Sequence, residues 1–209
     1  MRIIAGTKRG MRLFEPAGLV SRPILDRVKE SLFSILFSRG LPQGAVVADL
    51  FAGVGSLGLE ALSRGAAFVR FVELDGEVSA VLQRNIEKAG FAAQSRVTRA
   101  NAFTVGMLAE PGRPKYDLVF VDPPYAATAD VGEASPLAGL MQGLADQVTA
   151  HALVVVRAER KVTLADRYGS FSATDRREYG KTALTFLERG QYAEPSTQNS
   201  GDNSNHSEC

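Results

Sequence analysis

Val46-Val47-Ala48-Asp49-Leu50-Phe51-Ala52-Gly53-Val54-Gly55-Ser56-Leu57-Gly58 is the stretch on which the fold turns. Val46 to Leu50 is a short apolar run interrupted by a single acid, as in a strand buried on both faces. Glycines at 53, 55 and 58 then allow a tight turn into a helical segment, Leu57 to Ser63. A loop of this kind at the carboxyl end of a core strand is where open α/β sheets bind ligands. Working outward, further apolar runs occur at Phe68 to Val72, Val97 to Ala100 (the weakest), Leu118 to Val121, Leu153 to Val156 and Leu184 to Leu187. Helical spacing separates them at Val78 to Ala89, Thr104 to Ala109 and Pro136 to Thr149. Strands alternating with helices predict an α/β domain with a mostly parallel sheet covered on both faces.

The two ends of the chain read differently. Arg2 to Ala5 and Met11 to Phe14 flank the turn-like Gly6-Thr7-Lys8-Arg9-Gly10, which predicts a basic-tipped hairpin. Leu25, Val28, Leu32, Ile35 and Leu36 then fall on one helical stripe that ends at Gly40 and Pro42. Near the other end, Phe171 to Glu178 and Thr182 to Glu188 are joined only by Tyr179-Gly180-Lys181 and predict an antiparallel hairpin on the sheet edge. Residues 191–209 are dominated by Ser, Asn, Thr, Gln, Gly and acids, too polar to offset the entropy of ordering, so a disordered tail is expected. One domain is expected over residues 1–190, with the N-terminal hairpin and helix (1–42) part of it.

Composition excludes several classes of function. No apolar run approaches the roughly 18 residues of a membrane span, and the first residues lack the apolar block of a signal peptide, so a cytoplasmic protein is expected. One cysteine, Cys209, and two histidines, His151 and His206, argue against a disulfide framework or a zinc site; no metal is expected. The net charge of +1 is unevenly spread. Residues 1–39 carry eight Lys or Arg against three acids, residues 40–190 sixteen against seventeen, and the tail three acids alone. A segment of +5 on a neutral body suits a polyanion met by one face, although a merely solvated surface would have the same charge.

The glycine loop formally matches Gly-x-Gly-x-x-Gly at 53, 55 and 58, with the acid Glu73 at the end of the next run placed to accept from ribose hydroxyls. Nicotinamide dinucleotides and S-adenosylmethionine both need those features. Asp49 separates them, because a carboxylate ahead of the glycines disfavours a pyrophosphate and suits the cationic amino end of S-adenosylmethionine. The competing reading is a strand-to-helix turn with no ligand. Asn101, after the third run, is placed either to meet an adenine or to cap a turn.

The buried run ending at Val121 is followed by Asp122-Pro123-Pro124-Tyr125. An exocyclic amine on a base is a poor nucleophile because its lone pair is delocalised into the ring. Acceptors aimed at both N–H bonds favour a pyramidal nitrogen, and the Asp122 carboxylate and Pro123 carbonyl supply two. The prolines fix the backbone without adding N–H donors, and Tyr125 offers a ring for stacking. The alternative is a rigid strand exit with no chemistry. The candidate catalytic residues are thus Asp122, Pro123, Pro124 and Tyr125. The candidate cofactor residues are Asp49, Phe51, Ala52, Gly53, Gly55, Glu73, Leu74, Asn101, Ala102 and Asp122. Lys8, Arg9, Arg12, Arg22 and Arg27 are the candidate phosphate contacts, and Arg157, Arg160, Lys161, Arg176 and Arg177 form a second basic set.

Several stretches together resemble the bacterial small-subunit ribosomal RNA guanine-N2 methyltransferases. They are Arg2-Ile3-Ile4-Ala5-Gly6 with Arg9-Gly10, Arg22-Pro23, Asp26-Arg27-Val28-Lys29-Glu30-Ser31-Leu32-Phe33, Phe51 through Gly65, Val72-Glu73-Leu74-Asp75, Asp122-Pro123-Pro124-Tyr125 and Tyr179-Gly180. The resemblance implies a Rossmann-type, class I methyltransferase sheet of seven strands, mostly parallel with one antiparallel. It implies S-adenosylmethionine as cofactor, S-adenosylhomocysteine as product, and a monomer acting on a guanine in 16S rRNA or in an assembling small subunit. Ile24 and Leu25 stand where the family has threonines, and Val54 where it has a small hydroxyl residue. An adenine-N6 methyltransferase and a non-catalytic ribosome-assembly factor are the alternatives; a nicotinamide-dependent dehydrogenase is more distant.

Overall fold

The computed structural model describes residues 1–16, 24–104, 114–128 and 130–190, apart from the side chains of Tyr125 and Ala126. The expected helix from Thr104 to Ala109, Arg22 and the tail from 191 lie outside that set, Thr104 excepted. The chain runs α1 (Asp26–Ser38), β1 (Val46–Leu50), α2 (Ser56–Ser63), β2 (Phe68–Glu73), α3 (Gly76–Ala89), β3 (Ser95–Arg99), β4 (Tyr116–Val121), α4 (Pro136–Leu144), β5 (Val148–Glu159), β6 (Arg167–Tyr168), β7 (Phe171–Tyr179) and β8 (Thr182–Arg189). The sheet order is β3-β2-β1-β4-β5-β8-β7-β6. The first five strands are parallel, and β8, β7 and β6 follow by antiparallel pairings.

This corrects the expected seven strands and single antiparallel strand. There are eight, and both β8 and β6 run against the parallel set. The hairpin of β7 and β8 is also not at the edge, since β8 lies between β5 and β7 and the two-residue β6 forms the border. The helix expected from Pro136 to Thr149 stops at Leu144, and the β-branched Val148 and Thr149 open the long strand β5. At the N-terminus a single antiparallel bridge, Arg2 to Arg12, holds the hairpin, with Ile3 N–H on the Met11 carbonyl at 2.9 Å.

Period-2 alternation sorts the sheet into two cores. Val47, Val69, Phe71, Leu118, Phe120, Leu153 and Val155 face α1, α2 and α3. Ala48, Leu50, Val119, Val121, Val154 and Val156 face α4. The N-terminal hairpin is locked to α2 by buried polar bonds: Glu60 accepts from the Ile4 and Ala5 N–H groups at 2.7 and 3.0 Å, and Ser63 Oγ accepts from the Lys8 N–H at 2.9 Å. Gly6, at φ +81°, passes so close that a Cβ would lie 1.8 Å from the Ser63 carbonyl oxygen. Across the same face, Tyr179 Oη bonds Ser31 Oγ of α1 at 2.5 Å. Among the described residues no helix is long and apolar enough to cross a membrane.

Candidate functional site

The carboxyl ends of the parallel strands open into a cleft of about 1000 Å³. Strand parity decides which side chains reach it. Asp49 follows Val47 by two residues, Glu73 follows Phe71, Asp122 follows Phe120 and Arg157 follows Val155, so all four leave the sheet on the α1–α2–α3 face and line the cleft.

Asp49, 1% exposed, accepts from the Gly58 N–H at 2.8 Å in the first turn of α2. Among the described residues no cation is paired with it. Burial pushes its carboxyl well above the usual carboxylate range; the Gly58 N–H opposes this, and nearby Asp122 and Glu73 add to it. An anionic group kept in that position has an acceptor to spare for a cationic partner. Glu73 is oriented by the loop, accepting from Gly53 N–H at 2.8 Å and Asp75 N–H at 2.9 Å. Gly53 and Gly55 have positive φ, and at Gly53 a Cβ would meet nothing within 4 Å, so the loop backbone is bare toward the cleft. Phe51 also has positive φ, 64°, which is costly for an aromatic residue, and its ring packs against Phe103 at 4.8 Å between centroids.

Ala52, Leu74, Asn101 and Ala102 line the same cleft. Leu74 is largely exposed at its rim and Ala102 is buried. Asn101 Oδ1 accepts from the Phe103 N–H at 3.0 Å, a turn-capping bond.

Asp122 leaves β4 next to β1, its N–H on the Leu50 carbonyl at 3.3 Å. Burial raises its pKa, and the charge and hydrogen bond of Arg157 pull it back. Pro123 is buried and Pro124 exposed, and both line the cleft. Among the described residues no N–H takes the Pro123 carbonyl, while that of Pro124 accepts from Ala127 at 2.8 Å. Tyr125 opens a short 3-10 turn, Tyr125–Thr128, and its side chain lies outside the described set.

Arg157 was grouped from sequence with Arg160, Lys161, Arg176 and Arg177, but it belongs to the cleft: its Nε donates to Asp122 Oδ1 at 2.6 Å. The signal was present, since an acid and a base directly follow two adjacent apolar runs, and the register pairs Val121 with Val156. The others form separate contacts, Lys161 with Glu159, Arg177 with Asp175, Arg176 with Glu178 and the Arg160 carbonyl. Ile24, Arg99 and Phe103 also line the cleft and were not singled out for it.

The N-terminal basic set divides as well. Arg9, Arg12 and Arg27 are exposed, and Lys8 is half-buried over the Phe91 ring at 5.8 Å. Lys29 is 1% exposed and paired with Glu60 at 3.3 Å, and Arg2 pairs with Asp26 at 2.8 Å, so two of the eight cations counted from sequence are internally neutralised.

The family model described as Conserved hypothetical protein 95 matches residues 1–188. The chain is 30% identical over 197 residues to "Putative rRNA methyltransferase YlbH" of Bacillus subtilis, covering 90% of this chain and 99% of that protein. It is 45% identical over 127 residues to Ribosomal RNA small subunit methyltransferase D of Escherichia coli, an alignment spanning 60% of each chain. A solved structure, "Putative methyltransferase yhhF from Escherichia coli", superposes with a TM-score of 0.74 at 34% identity, covering 91% of this chain and 98% of that one. The chain therefore belongs to the Conserved hypothetical protein 95 family and is a methyltransferase of the class I α/β architecture.

Proposed function

We propose that this protein transfers the methyl group of S-adenosylmethionine to the exocyclic N2 amine of a guanine in 16S rRNA. The observation that carries this reading is one cleft with two kinds of acceptor. Buried Asp49 and loop-oriented Glu73 lie at one end, and Asp122 and the Pro123 carbonyl lie on the neighbouring strand. The names of the relatives, a putative rRNA methyltransferase and a ribosomal RNA small subunit methyltransferase, support the substrate class.

The donor set fits the cofactor. An uncompensated buried carboxylate suits its ammonium group, the bare glycine backbone permits close approach, and Glu73 keeps lone pairs for ribose hydroxyls. Phe51, Leu74, Asn101 and Ala102 would border its adenine side. When bound, S-adenosylmethionine supplies a methyl group on a sulfonium and leaves as S-adenosylhomocysteine.

Asp122 and Pro123 accept the two amine hydrogens and turn the nitrogen lone pair toward that methyl group, in a geometry fixed before the substrate arrives. Tyr125 stacks on the base, and Pro124 stiffens the turn. As the N–C bond forms, the surplus proton on nitrogen passes to Asp122 or to water. The target base is unstacked from an RNA loop to reach the cleft, with Lys8, Arg9, Arg12, Arg22 and Arg27 on the phosphates. The protein acts as a monomer in the cytoplasm, on free 16S rRNA or on an assembling subunit.

Incubation with methyl-labelled S-adenosylmethionine and unmodified small subunits or rRNA tests the reading, followed by nucleoside analysis. N2-methylguanosine is expected, and Asp122→Ala removes the label while cofactor affinity stays near wild type. Label in N6-methyladenosine would replace guanine by adenine, and no label on any RNA with intact cofactor binding would point to a non-catalytic factor.

A further inference from the structure

We propose that Arg157 is a positioning residue for methyl transfer, holding the Asp122 carboxylate so that its second oxygen stays turned toward the substrate amine. The inference rests on the functional reading above. It starts from register: Val121 pairs with Val156 in the parallel β4–β5 ladder, so Asp122 and Arg157 emerge side by side on the same face. The Arg157 Nε donates to Asp122 Oδ1 at 2.6 Å, and at 9% exposure the arginine is little screened by water. Among the described residues nothing donates to Asp122 Oδ2, which leaves one oxygen fixed and one available.

The ion pair adds little to holding the strands together, because β4 and β5 are already joined by backbone bonds from Leu118 to Val121. Its larger effect is on charge. Asp49 on β1, Glu73 at the end of β2 and Asp122 just after β4 converge at the cleft with Asp75 beside Glu73; Arg157 on β5 and Arg99 at the end of β3 are the described arginines lining it, and the Met1 amino terminus that also borders it is paired with Glu15. Arg99 reaches the Leu74 carbonyl at 3.4 Å, on the Glu73 side, so Arg157 is the cation bonded to Asp122. Without it, burial beside another carboxylate would drive Asp122 toward its protonated form. A protonated carboxyl turns a donor toward the amine N–H in place of an acceptor and lets the side chain rotate. The guanidinium therefore supplies both orientation and ionisation.

The test compares wild type, Arg157→Met and Arg157→Lys by methyl transfer across pH, with cofactor affinity measured alongside. Arg157→Met is expected to lower kcat by about 10²-fold, the scale of a misplaced reacting group, with cofactor affinity near wild type. Its acid limb moves to higher pH, because Asp122 takes up a proton more readily. Arg157→Lys keeps the charge without the fixed Nε geometry, so its acid limb stays near wild type while kcat recovers only in part. Either variant with wild-type kcat and an unmoved acid limb overturns the inference. If Arg157→Met fails to bind cofactor, the lysine variant decides the matter alone. Absence of transfer by the wild-type protein would instead count against the functional reading, which keeps the two failures distinct.

Discussion

Two groups of charges lie on the same side of the sheet, one closed around the fully buried Lys29 and Glu60, and one open, in which Asp49 is buried and Glu73 and Asp122 are half-buried at the cleft. In the closed group, Glu60 accepts from Ile4 and Ala5 N–H, from Arg64 Nε at 2.7 Å and from Lys29 Nζ, and Lys29 also reaches the Arg2 carbonyl at 2.6 Å and Ser56 Oγ at 3.2 Å. Each donor has an acceptor within the protein. In the open group, Asp49 holds one backbone N–H, Glu73 two, and Asp122 one guanidinium. Burying a carboxylate is costly unless it is compensated. The closed group is compensated by the fold, and fastens the N-terminal hairpin to α2. The open group keeps carboxylate lone pairs turned into the cleft, where a ligand's donors can reach them.

The largest effect that would break this contrast comes from opening the closed group. Lys29→Met is expected to destabilise the protein by about 3 kcal/mol, the lower part of the range for breaking a buried pair, because Arg64 and two N–H groups remain on Glu60. Urea denaturation measures it, and a change below about 0.5 kcal/mol would mean that Lys29 acts as an ordinary surface cation. The opposite sign is expected when the open group is relieved. Asp49 has a folded-state pKa above its unfolded one, so it contributes stability below the unfolded value that is lost as pH rises through the folded value. Above the ordinary carboxylate range the neutral Asp49→Asn should therefore be the more stable protein, seen as a higher Tm in thermal denaturation, where each 1 kcal/mol corresponds to about 2–4 °C for a domain of this size.

Much of this was legible in the sequence, and the exceptions have physical causes. The buried parallel strands announced themselves as apolar runs, whereas β3 was faint because it is the exposed edge and alternates with Arg96, Thr98 and Arg99. Strand β6 has two residues, too few to carry any period. The helix predicted from Pro136 overruns into β5 because Ala145-Asp146-Gln147 holds no Gly or Pro to mark a stop, and only β-branching at Val148 and Thr149 signals the change. Glu73 and Asp122 could be found because each ends an apolar run, and Asp49 because it interrupts one just ahead of the glycine loop. Lys29 enters the sequence reading only as one of eight basic residues, because a helix stripe read by hydrophobicity does not reveal that a lysine on its inner face meets Glu60 of another helix. Arg157 was seen as one of a basic set because its partner is 35 residues away in sequence.

The contrast between closed and open charges is tested most directly by titrating the protein with S-adenosylmethionine in a calorimeter across a series of pH values, in buffers of differing ionisation enthalpy. Burial keeps Asp49 inclined to hold a proton, and an arriving ammonium group favours the ionised form. Binding should then release a proton and weaken as pH falls, and Asp49→Asn should lose that proton release together with about tenfold to a hundredfold in affinity, the range of one charge-assisted hydrogen bond. Proton-neutral binding of equal strength by wild type and Asp49→Asn would contradict it.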